Sequence, residues 1–232
     1  MPTTVVLSGG PIDPAHVEAA IAGLDVARVI AADSGLHAAR AAGLRAEVVI
    51  GDMDSVDPDL LADAVAEGAT PVRHAVHKDA TDLELALDLA LDLAGDHTPG
   101  AGGPPRGVGT AGNLLVVGSG AGRLDHLLGW VALVASPRYA PFTIEARLGA
   151  TRVLPVHRSR RLAGEPGALV SLIAVHGPAM GVRTEGLRWA LEGETLAPET
   201  TLGISNRFAA PEAEVSLDAG VVVVVVPDAE DR

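Results

Sequence analysis

The chain has 232 residues, of which 48% are apolar, so it can bury a sizeable core and disorder is not expected. Its formal charge of −13 makes nucleic acids and anionic membranes poor partners, and the absence of Cys excludes disulfides, thiolate zinc sites and cysteine nucleophiles. The N-terminal sequence lacks the signal-peptide pattern, and no apolar stretch has the length of a membrane span. We therefore expect a cytoplasmic protein.

Strands and helices alternate over the first part of the chain. The expected strands are Thr3–Leu7, Val26–Ala32, Glu47–Ile50, Pro71–Ala75 and Leu114–Val117. The expected helices are Pro14–Leu24, Leu36–Ala42, Asp59–Glu67, Thr81–Ala94 and Leu127–Ala135. This alternation predicts an α/β, Rossmann-like domain with a mostly parallel sheet covered on both faces.

The pattern changes to short β-rich runs beyond Pro141, separated by Gly and Pro. These runs are Thr143–Leu148, Arg152–Val156, Ala168–Val175, Gly181–Thr184, Thr201–Ile204, Glu214–Leu217 and Val221–Val226. They predict a small antiparallel β-sandwich. We expect residues 1–148 to form the catalytic domain, which binds ATP and metal, and residues 149–232 to form the sandwich domain.

The first polar loop with candidate chemistry is Gly51-Asp52-Met53-Asp54-Ser55, at the end of a predicted strand. Ligands of open α/β sheets bind at the carboxyl ends of the strands. In an extended segment, residues two apart point the same way, so Asp52 and Asp54 would direct both carboxylates at one cation such as Mg²⁺. The alternative is that both are turn and cap residues.

The second loop, His77 to Glu84, leads into the clearest helix. Thr81 and Glu84 fit a capping box, and Asp82 would occupy the first helical turn, where its charge suits the helix dipole. Lys78 and Asp79 precede the cap. Lys78 could neutralise phosphate and Asp79 could join a metal cluster, although a surface ion pair is the commoner arrangement.

The third loop, Gly118 to His126, is rich in Gly and lies between a strand and a helix. Such a loop lets backbone N–H groups approach an anion. Arg123 can grip phosphate oxygens in a fork, and Asp125 could hold metal or orient Arg123. His126 is a helix-start residue or a polar contact. The loop is not a Walker A sequence.

Together the three loops assemble carboxylates and cations at one expected edge, the set that phosphoryl-type transfer needs. No pair of histidines has zinc-type helical spacing, which disfavours a zinc hydrolase. The residues alone leave open a Mg²⁺-dependent phosphotransferase, a phosphohydrolase or a non-catalytic nucleotide sensor.

Several motifs, in order along nearly the whole chain, resemble those of the thiamin pyrophosphokinase family. They are Ala31-Ala32-Asp33-Ser34-Gly35, Gly51-Asp52-Met53-Asp54-Ser55, Lys78 to Leu87, Gly122-Arg123-Leu124-Asp125-His126, Gly186-Leu187-Arg188-Trp189 and Gly203-Ile204-Ser205-Asn206. The resemblance implies a homodimer whose active site lies between the catalytic domain of one subunit and the sandwich of the other. It also implies transfer of pyrophosphate from ATP to the thiamin hydroxyl with Mg²⁺, giving thiamin diphosphate and AMP.

The resemblance also implies roles for individual residues. The catalytic set is Asp52, Asp54, Lys78, Asp79, Arg123 and Asp125, of which Asp52, Asp54 and Asp79 bind metal. ATP binding is implied for Asp33, Ser55, Asp82, Gly122 and His126, and thiamin binding for Trp189, Ser205 and Asn206. Asp79 and Asp125 are alternative acceptors of the hydroxyl proton, and a transfer without a dedicated base is a third possibility.

Trp189 also suits thiamin on physical grounds, because its ring favours stacking and cation contacts. The alternative is that Trp189 fills the sandwich core and that Ser205-Asn206 is an ordinary turn. Four positions depart from the family pattern: Ser34, Ala121, Trp130 and Ala190. Trp130, which stands where Asn is usual, places a bulky ring near the expected site.

Overall fold

The computed structural model describes residues 2–75, 79–95, 109 and 111–228. The chain forms two compact units. The first comprises Met1–Trp130 and Pro141–Gly149, and the second comprises Val131–Ala140 and Ala150–Arg232. Within the described residues, no helix is both long and apolar enough to cross a membrane.

The first unit is built on a parallel sheet, as predicted. Its strands are β1 (Thr3–Leu7), β2 (Val26–Ala32), β3 (Val48–Gly51), β4 (Thr70–Arg73), β5 (Gly112–Gly118) and β6 (Phe142–Leu148). Every pairing is parallel, in the order β4-β3-β2-β1-β5-β6. The strand order reverses between β1 and β5, which is where such sheets open a ligand crevice. The run Thr143–Leu148 belongs to this sheet as its sixth parallel strand and not to the antiparallel strands that follow.

The described residues include five α-helices: α1 (Pro14–Ile21), α2 (Gly35–Ala41), α3 (Pro58–Ala66), α4 (Asp82–Ala94) and α5 (Leu124–Val134). Side chains cap three of the helices. Asp13 accepts from Ala15 N, Asp57 accepts from the first turn of α3, and Thr81 accepts from Glu84 N at 3.2 Å. These caps satisfy N–H groups that have no partner within the helix, so they fix where each helix begins.

The helices cover the sheet through small and branched apolar side chains. Val17 of α1 and Ala39 of α2 pack with Val5, Leu7 and other residues of β1 and β5. A second cluster joins α2 and α3 to β2 and β3, and α4 packs on β1, β2 and β3. This packing fixes the positions of the strands from whose ends the polar loops begin.

The second unit is antiparallel, as predicted. Its strands are β7 (Thr151–Val156), β8 (Ser159–Ala163), β9 (Leu169–Glu185), β10 (Glu192–Leu196), β11 (Asn206–Arg207), β12 (Glu212–Ser216) and β13 (Ala219–Val226). β13 pairs with β7 and β9, while β12 pairs with β8 and the far end of β9. The strands enclose one core, to which alternate valines of β13 contribute.

Three details of this unit differ from the sequence-based expectation. The runs Ala168–Val175 and Gly181–Thr184 are parts of one 17-residue strand, β9. The predicted strand Thr201–Ile204 is wrong, because these residues form a turn that ends at Ser205, whose φ is 60°. β8 and β10 were not predicted, since their polar residues hide the alternation that marks a half-buried strand.

Candidate active site

Three carboxylates meet at the carboxyl edge of the parallel sheet. Asp33 follows β2, Asp52 follows β3, and Asp82 opens α4. Each offers an oxygen that lies within 4.8 Å of the others. Because strands in a parallel sheet end at the same edge, residues from distant parts of the chain converge there. We call Asp33, Asp52 and Asp82 the acidic cluster.

Asp33 is the buried member of the cluster, with 7% of its surface exposed. The Ser55 hydroxyl donates a hydrogen bond to Asp33 Oδ2. Within the described part of the chain, Asp33 Oδ1 is buried and has no hydrogen-bond partner. A buried carboxylate oxygen without a donor is costly, and a cation is the partner that would remove this cost.

Gly51 provides the space in which the carboxylates meet. Its φ is 148°, and a Cβ there would lie 2.9 Å from Asp82 Oδ1 and 3.2 Å from the Asp33 Cβ. Any side chain at residue 51 would therefore intrude between two members of the cluster. The oxygen ligands, the unpartnered Asp33 Oδ1 and this space fit a hard divalent cation such as Mg²⁺.

The first loop is not the extended segment in which the Asp52 and Asp54 side chains would point the same way. Met53 between them is buried and has a φ of 66°. The Asp54 N–H donates to Asp52 Oδ1 at 3.2 Å, and the exposed Asp54 carboxyl is not a member of the cluster. The neighbouring Asp52 charge raises the pKa of Asp54 above its usual range.

The remaining residues of the second loop are placed in part. Asp79 is exposed and is not a member of the acidic cluster. Lys78 lies outside the described residues. Asp33 and Asp82, for which the family resemblance implies ATP binding, lie beside Asp52 in the acidic cluster. Their positions at a strand end and at a helix start place them at the carboxyl edge of the sheet, but the sequence does not show which of these carboxylates meet.

The third loop presents a preformed ion pair. Arg123 donates to Asp125 through Nε (3.1 Å to Oδ1) and Nη2 (2.6 Å to Oδ2), and both side chains are exposed. The hydrogen bond from Arg123 lowers the pKa of Asp125 below its usual range. The pair fixes one edge of the guanidinium, so the other edge, with Nη1, remains to meet an anion.

Gly122 and His126 flank this pair, and Trp130 lies further along α5. Gly122 has a φ of 125°, and His126 is exposed in the first turn of the helix. Trp130 packs against the end of β5, where a Cβ on Gly118 would lie 2.9 Å from the indole Nε1. The indole ring therefore lies against the carboxyl end of β5.

In the second unit, Trp189 is 54% exposed, so its side chain does not fill the sandwich core. The guanidinium of Arg188 lies 5.1 Å from the centre of that ring. The face of the exposed Trp189 side chain is therefore accessible to a flat or cationic molecule, and the Arg188 guanidinium already lies near it.

Asn206 holds the backbone that carries Trp189. Its side chain is 4% exposed, accepts from Trp189 N at 3.2 Å, donates to Trp189 O at 2.7 Å, and also accepts from Arg207 N. These bonds commit the Asn206 amide to the backbone of Trp189 and Arg207. Ser205 is exposed, and its N–H donates to Ser171 Oγ at 3.0 Å.

A parallel sheet whose strand ends gather carboxylates, next to an Arg-bearing glycine loop, defines a class of α/β enzymes that act on phosphate groups. Comparison with known families is more specific. Residues 25–145 match the model for the thiamin pyrophosphokinase catalytic domain, and residues 156–222 match that for the thiamin pyrophosphokinase vitamin B1 binding domain. The chain belongs to the thiamin pyrophosphokinase family.

Solved structures share the fold along the whole chain. Thiamine pyrophosphokinase from Bacillus subtilis is 23% identical, with a TM-score of 0.75 and coverage of 97% of this chain and 98% of the other. Thiamin pyrophosphokinase from Geobacillus thermodenitrificans is 24% identical, with a TM-score of 0.74 and coverage of 99% of both chains. The yeast enzyme is 13% identical, with a TM-score of 0.69, covering 97% and 86%. No curated protein sequence matches the chain at a significant level.

Proposed function

We propose that the chain transfers pyrophosphate from ATP to the hydroxyl of thiamin, with Mg²⁺ bound at the acidic cluster. Membership of the family makes the chain a diphosphotransferase. The observation that carries the ATP and Mg²⁺ proposal is the convergence of Asp33, Asp52 and Asp82 around the space left by Gly51, with one Asp33 oxygen lacking a donor.

The hydroxyl oxygen of thiamin would attack the β-phosphorus of ATP, and AMP would leave. Asp33, Asp52 and Asp82 would hold the cation, which when bound neutralises charge on the triphosphate. Arg123 would contact the transferred group through its outer edge, held in place by Asp125. The pKa of Asp125 is lowered by this pairing, so Asp125 suits orientation of Arg123 better than proton abstraction.

Asp54, Asp79 and Lys78 stay predictions as catalytic residues. The carboxyls of Asp54 and Asp79 are exposed, so either would act at the rim, on phosphate-bound cation or on the thiamin hydroxyl. Asn replacements of Asp54 and Asp79 test them. A metal role predicts that the Mg²⁺ requirement rises, and a base role predicts a change in the pH profile at saturating Mg²⁺.

The direct test is incubation of purified protein with ATP, Mg²⁺ and thiamin. We expect thiamin diphosphate and AMP in equal amounts. ADP or phosphate in place of AMP would identify a different phosphotransferase or a hydrolase, and binding without turnover would identify a sensor. Asp63→Asn, on the exposed surface of α3, is the matched control for substitutions in the acidic cluster, because it removes a carboxylate elsewhere.

Arg123 gives a sharper test of the phosphate-binding loop. Lys cannot form the two-pronged contact with Asp125 and present a second edge to phosphate, so Arg123→Lys should not behave as a conservative change. We expect turnover to fall strongly while the KM for thiamin stays near the wild-type value. Unchanged turnover of Arg123→Lys and of Arg123→Ala would remove the residue from the site.

We further propose that the protein is a homodimer with shared active sites. Each unit exposes large apolar side chains, as expected of surfaces that pair with another chain. Leu124 and Leu128 are 69% and 63% exposed on α5, and Leu202 and Ile204 are exposed in the turn before Ser205. Two-fold pairing would let the thiamin-binding unit of one chain complete the catalytic unit of the other.

Complementation tests this shared arrangement. An Asp33→Asn subunit and a Trp189→Ala subunit should each be nearly inactive alone. In a mixed dimer, one site would carry both defects and the other would carry neither. With random exchange, about half of the dimers are mixed, so activity should return to about a quarter of wild type. Confirmed exchange without any return of activity would show that each chain builds its own site.

A further inference from the structure

Two arginines of the second unit lie on neighbouring backbone segments beside Trp189. Arg188 directly precedes Trp189, and its backbone N–H donates to the carbonyl of Arg207 at 2.8 Å. The adjoining residues Leu187 and Phe208 pair with each other and are buried in the sandwich core. Successive residues of an extended segment point to opposite faces, so Arg188 and Arg207 belong to the outer face, away from that core.

Within the described part of the chain, neither of these arginines pairs with a carboxylate. Arg207 Nη1 donates to the carbonyl of Gly167 at 2.6 Å, and the Arg188 guanidinium lies 5.1 Å from the centre of the Trp189 ring. Other arginines of this acidic chain do pair with carboxylates, namely Arg28, Arg40, Arg123, Arg147, Arg161 and Arg183. Like charges on directly opposed residues repel, and a bound anion would offset the repulsion between Arg188 and Arg207.

The positive charge beside Trp189 favours one form of the vitamin over another. An indole face attracts a cation, and the Arg188 guanidinium already occupies that role. Thiamin is itself cationic through its thiazolium ring, so both arginines would repel it. Phosphorylated thiamin has the same flat rings but carries phosphate on its hydroxyethyl arm. Guanidinium groups bind phosphate oxygens through charge-assisted hydrogen bonds.

We propose that Arg188 and Arg207 form an anion subsite that holds the phosphate of phosphorylated thiamin, so that this unit binds thiamin diphosphate in preference to thiamin. The proposal rests on the proposed function, because it assigns the residues that recognise the product of that reaction. Stacking on Trp189 would supply affinity for the rings of both molecules, and the two arginines would supply the preference. Bound product would then compete with thiamin for the same ring.

The test removes one charge from the subsite. Arg188 is exposed, and its side chain makes no hydrogen bond within the described residues, so Arg188→Gln should leave the fold intact. Arg158→Gln is the matched control, since Arg158 is exposed between β7 and β8 and its loss changes the net charge equally. Calorimetry compares thiamin with thiamin diphosphate. EDTA in the buffer ensures that the comparison does not depend on a cation at the acidic cluster.

We expect Arg188→Gln to weaken the binding of thiamin diphosphate about fivefold, equivalent to about 1 kcal/mol. Thiamin should bind to this variant as tightly as to wild type or more tightly, because a repelling charge has been removed. Arg158→Gln should bind both molecules as wild type does. Unchanged affinities of Arg188→Gln would overturn the proposal. So would an equal loss for both molecules, which would mean that Arg188 only supports the Trp189 ring.

A second measurement uses the wild-type protein and needs no variant to fold. Phenylglyoxal modifies exposed arginines, and mass spectrometry reads the extent of modification at each one. Thiamin diphosphate should protect Arg188, thiamin should not, and Arg158 should react equally in both cases. Absence of protection would overturn the proposal. Equal protection by inorganic pyrophosphate at the same concentration would also overturn it, since the subsite would then select any such anion without the rings.

These binding measurements separate the subsite from the proposed reaction. If the wild-type protein makes no thiamin diphosphate but shows the expected response at Arg188, the proposed function fails and the anion subsite stands. If the protein makes thiamin diphosphate and its affinity does not respond to Arg188→Gln, the subsite fails and the proposed function stands.

Discussion

Asp33→Asn should separate the stability of the protein from its activity. Oxygens of Asp33, Asp52 and Asp82 lie within 4.8 Å of one another, where two unit charges repel by about 3 kcal/mol at an effective dielectric of about 20. Solvent at the half-buried Asp52 and Asp82, and the other interactions these two make, reduce that figure. Asn keeps an oxygen for the Ser55 hydroxyl and gains an amide that can donate to a neighbouring carboxylate.

We therefore expect Asp33→Asn to stabilise the cation-free protein by about 1 kcal/mol, which raises Tm by about 2–4 °C for a chain of this size. Mg²⁺ should raise the Tm of the wild type more than that of the variant, because a ligand that binds the native state stabilises it. Turnover should fall at least about 100-fold, since a lost metal ligand costs several kcal/mol in the transition state.

The assay is thermal unfolding with EDTA and over a Mg²⁺ titration, paired with measurement of AMP release. Asp63→Asn serves as the control, and it should behave as wild type in both. The reasoning would be refuted if Asp33→Asn lowered Tm in EDTA and kept the wild-type response to Mg²⁺. That result would mean that Asp33 has a structural role and that the cluster does not hold the cation.

Three further substitutions test other features. Gly51→Ala should lower turnover at least about tenfold, because its Cβ would lie 2.9 Å from Asp82 Oδ1. Gly43→Ala is the kinetic control, since Gly43 also has a positive φ but a Cβ there would meet no atom within 4 Å. Asn206→Ala removes the hydrogen bonds that hold the Trp189 backbone, so the KM for thiamin should rise more than kcat falls. An equal rise in KM for Ser205→Ala would contradict a specific positioning role of Asn206. Burial, and secondarily His176, lower the pKa of His157, so the unfolded state binds more protons and the free energy of unfolding should decline as pH falls below about 6.5. His157→Gln should flatten that decline in denaturant titrations, and an unchanged dependence of stability on pH would contradict this role of His157.

Much of the fold follows from local signals in the sequence. The strands of the parallel sheet are short apolar runs, and Asp13, Asp57 and Thr81 mark where helices begin. Local signals fail where tertiary packing decides the structure. β8 and β10 are polar strands stabilised by pairing, and residues 201–204 carry a β-like composition but turn. The parallel pairing of β6 is likewise set by a tertiary contact, because it depends on the partner strand β5.

The candidate site was predictable in its location and less so in its geometry. Strand ends placed Asp33 and Asp52 at one edge, because the edge is a property of the sheet. The grouping of ligands was not predictable, because it depends on φ at Met53, which redirects the chain between Asp52 and Asp54. The spacing of carboxylates therefore identifies a loop, while the backbone conformation decides which oxygens share a cation.

Backbone strain is concentrated where the chemistry is proposed. Among the described residues, the four non-glycine positions with positive φ are Asp33, Met53, His176 and Ser205. The first two shape the acidic cluster, and Ser205 precedes the Asn206 that holds Trp189. Such conformations cost about 1 kcal/mol or more each and persist only where the surroundings enforce them. The buried Asp33 Oδ1 also has no hydrogen-bond partner among the described residues, so a cation at the acidic cluster would supply an interaction that the fold leaves open.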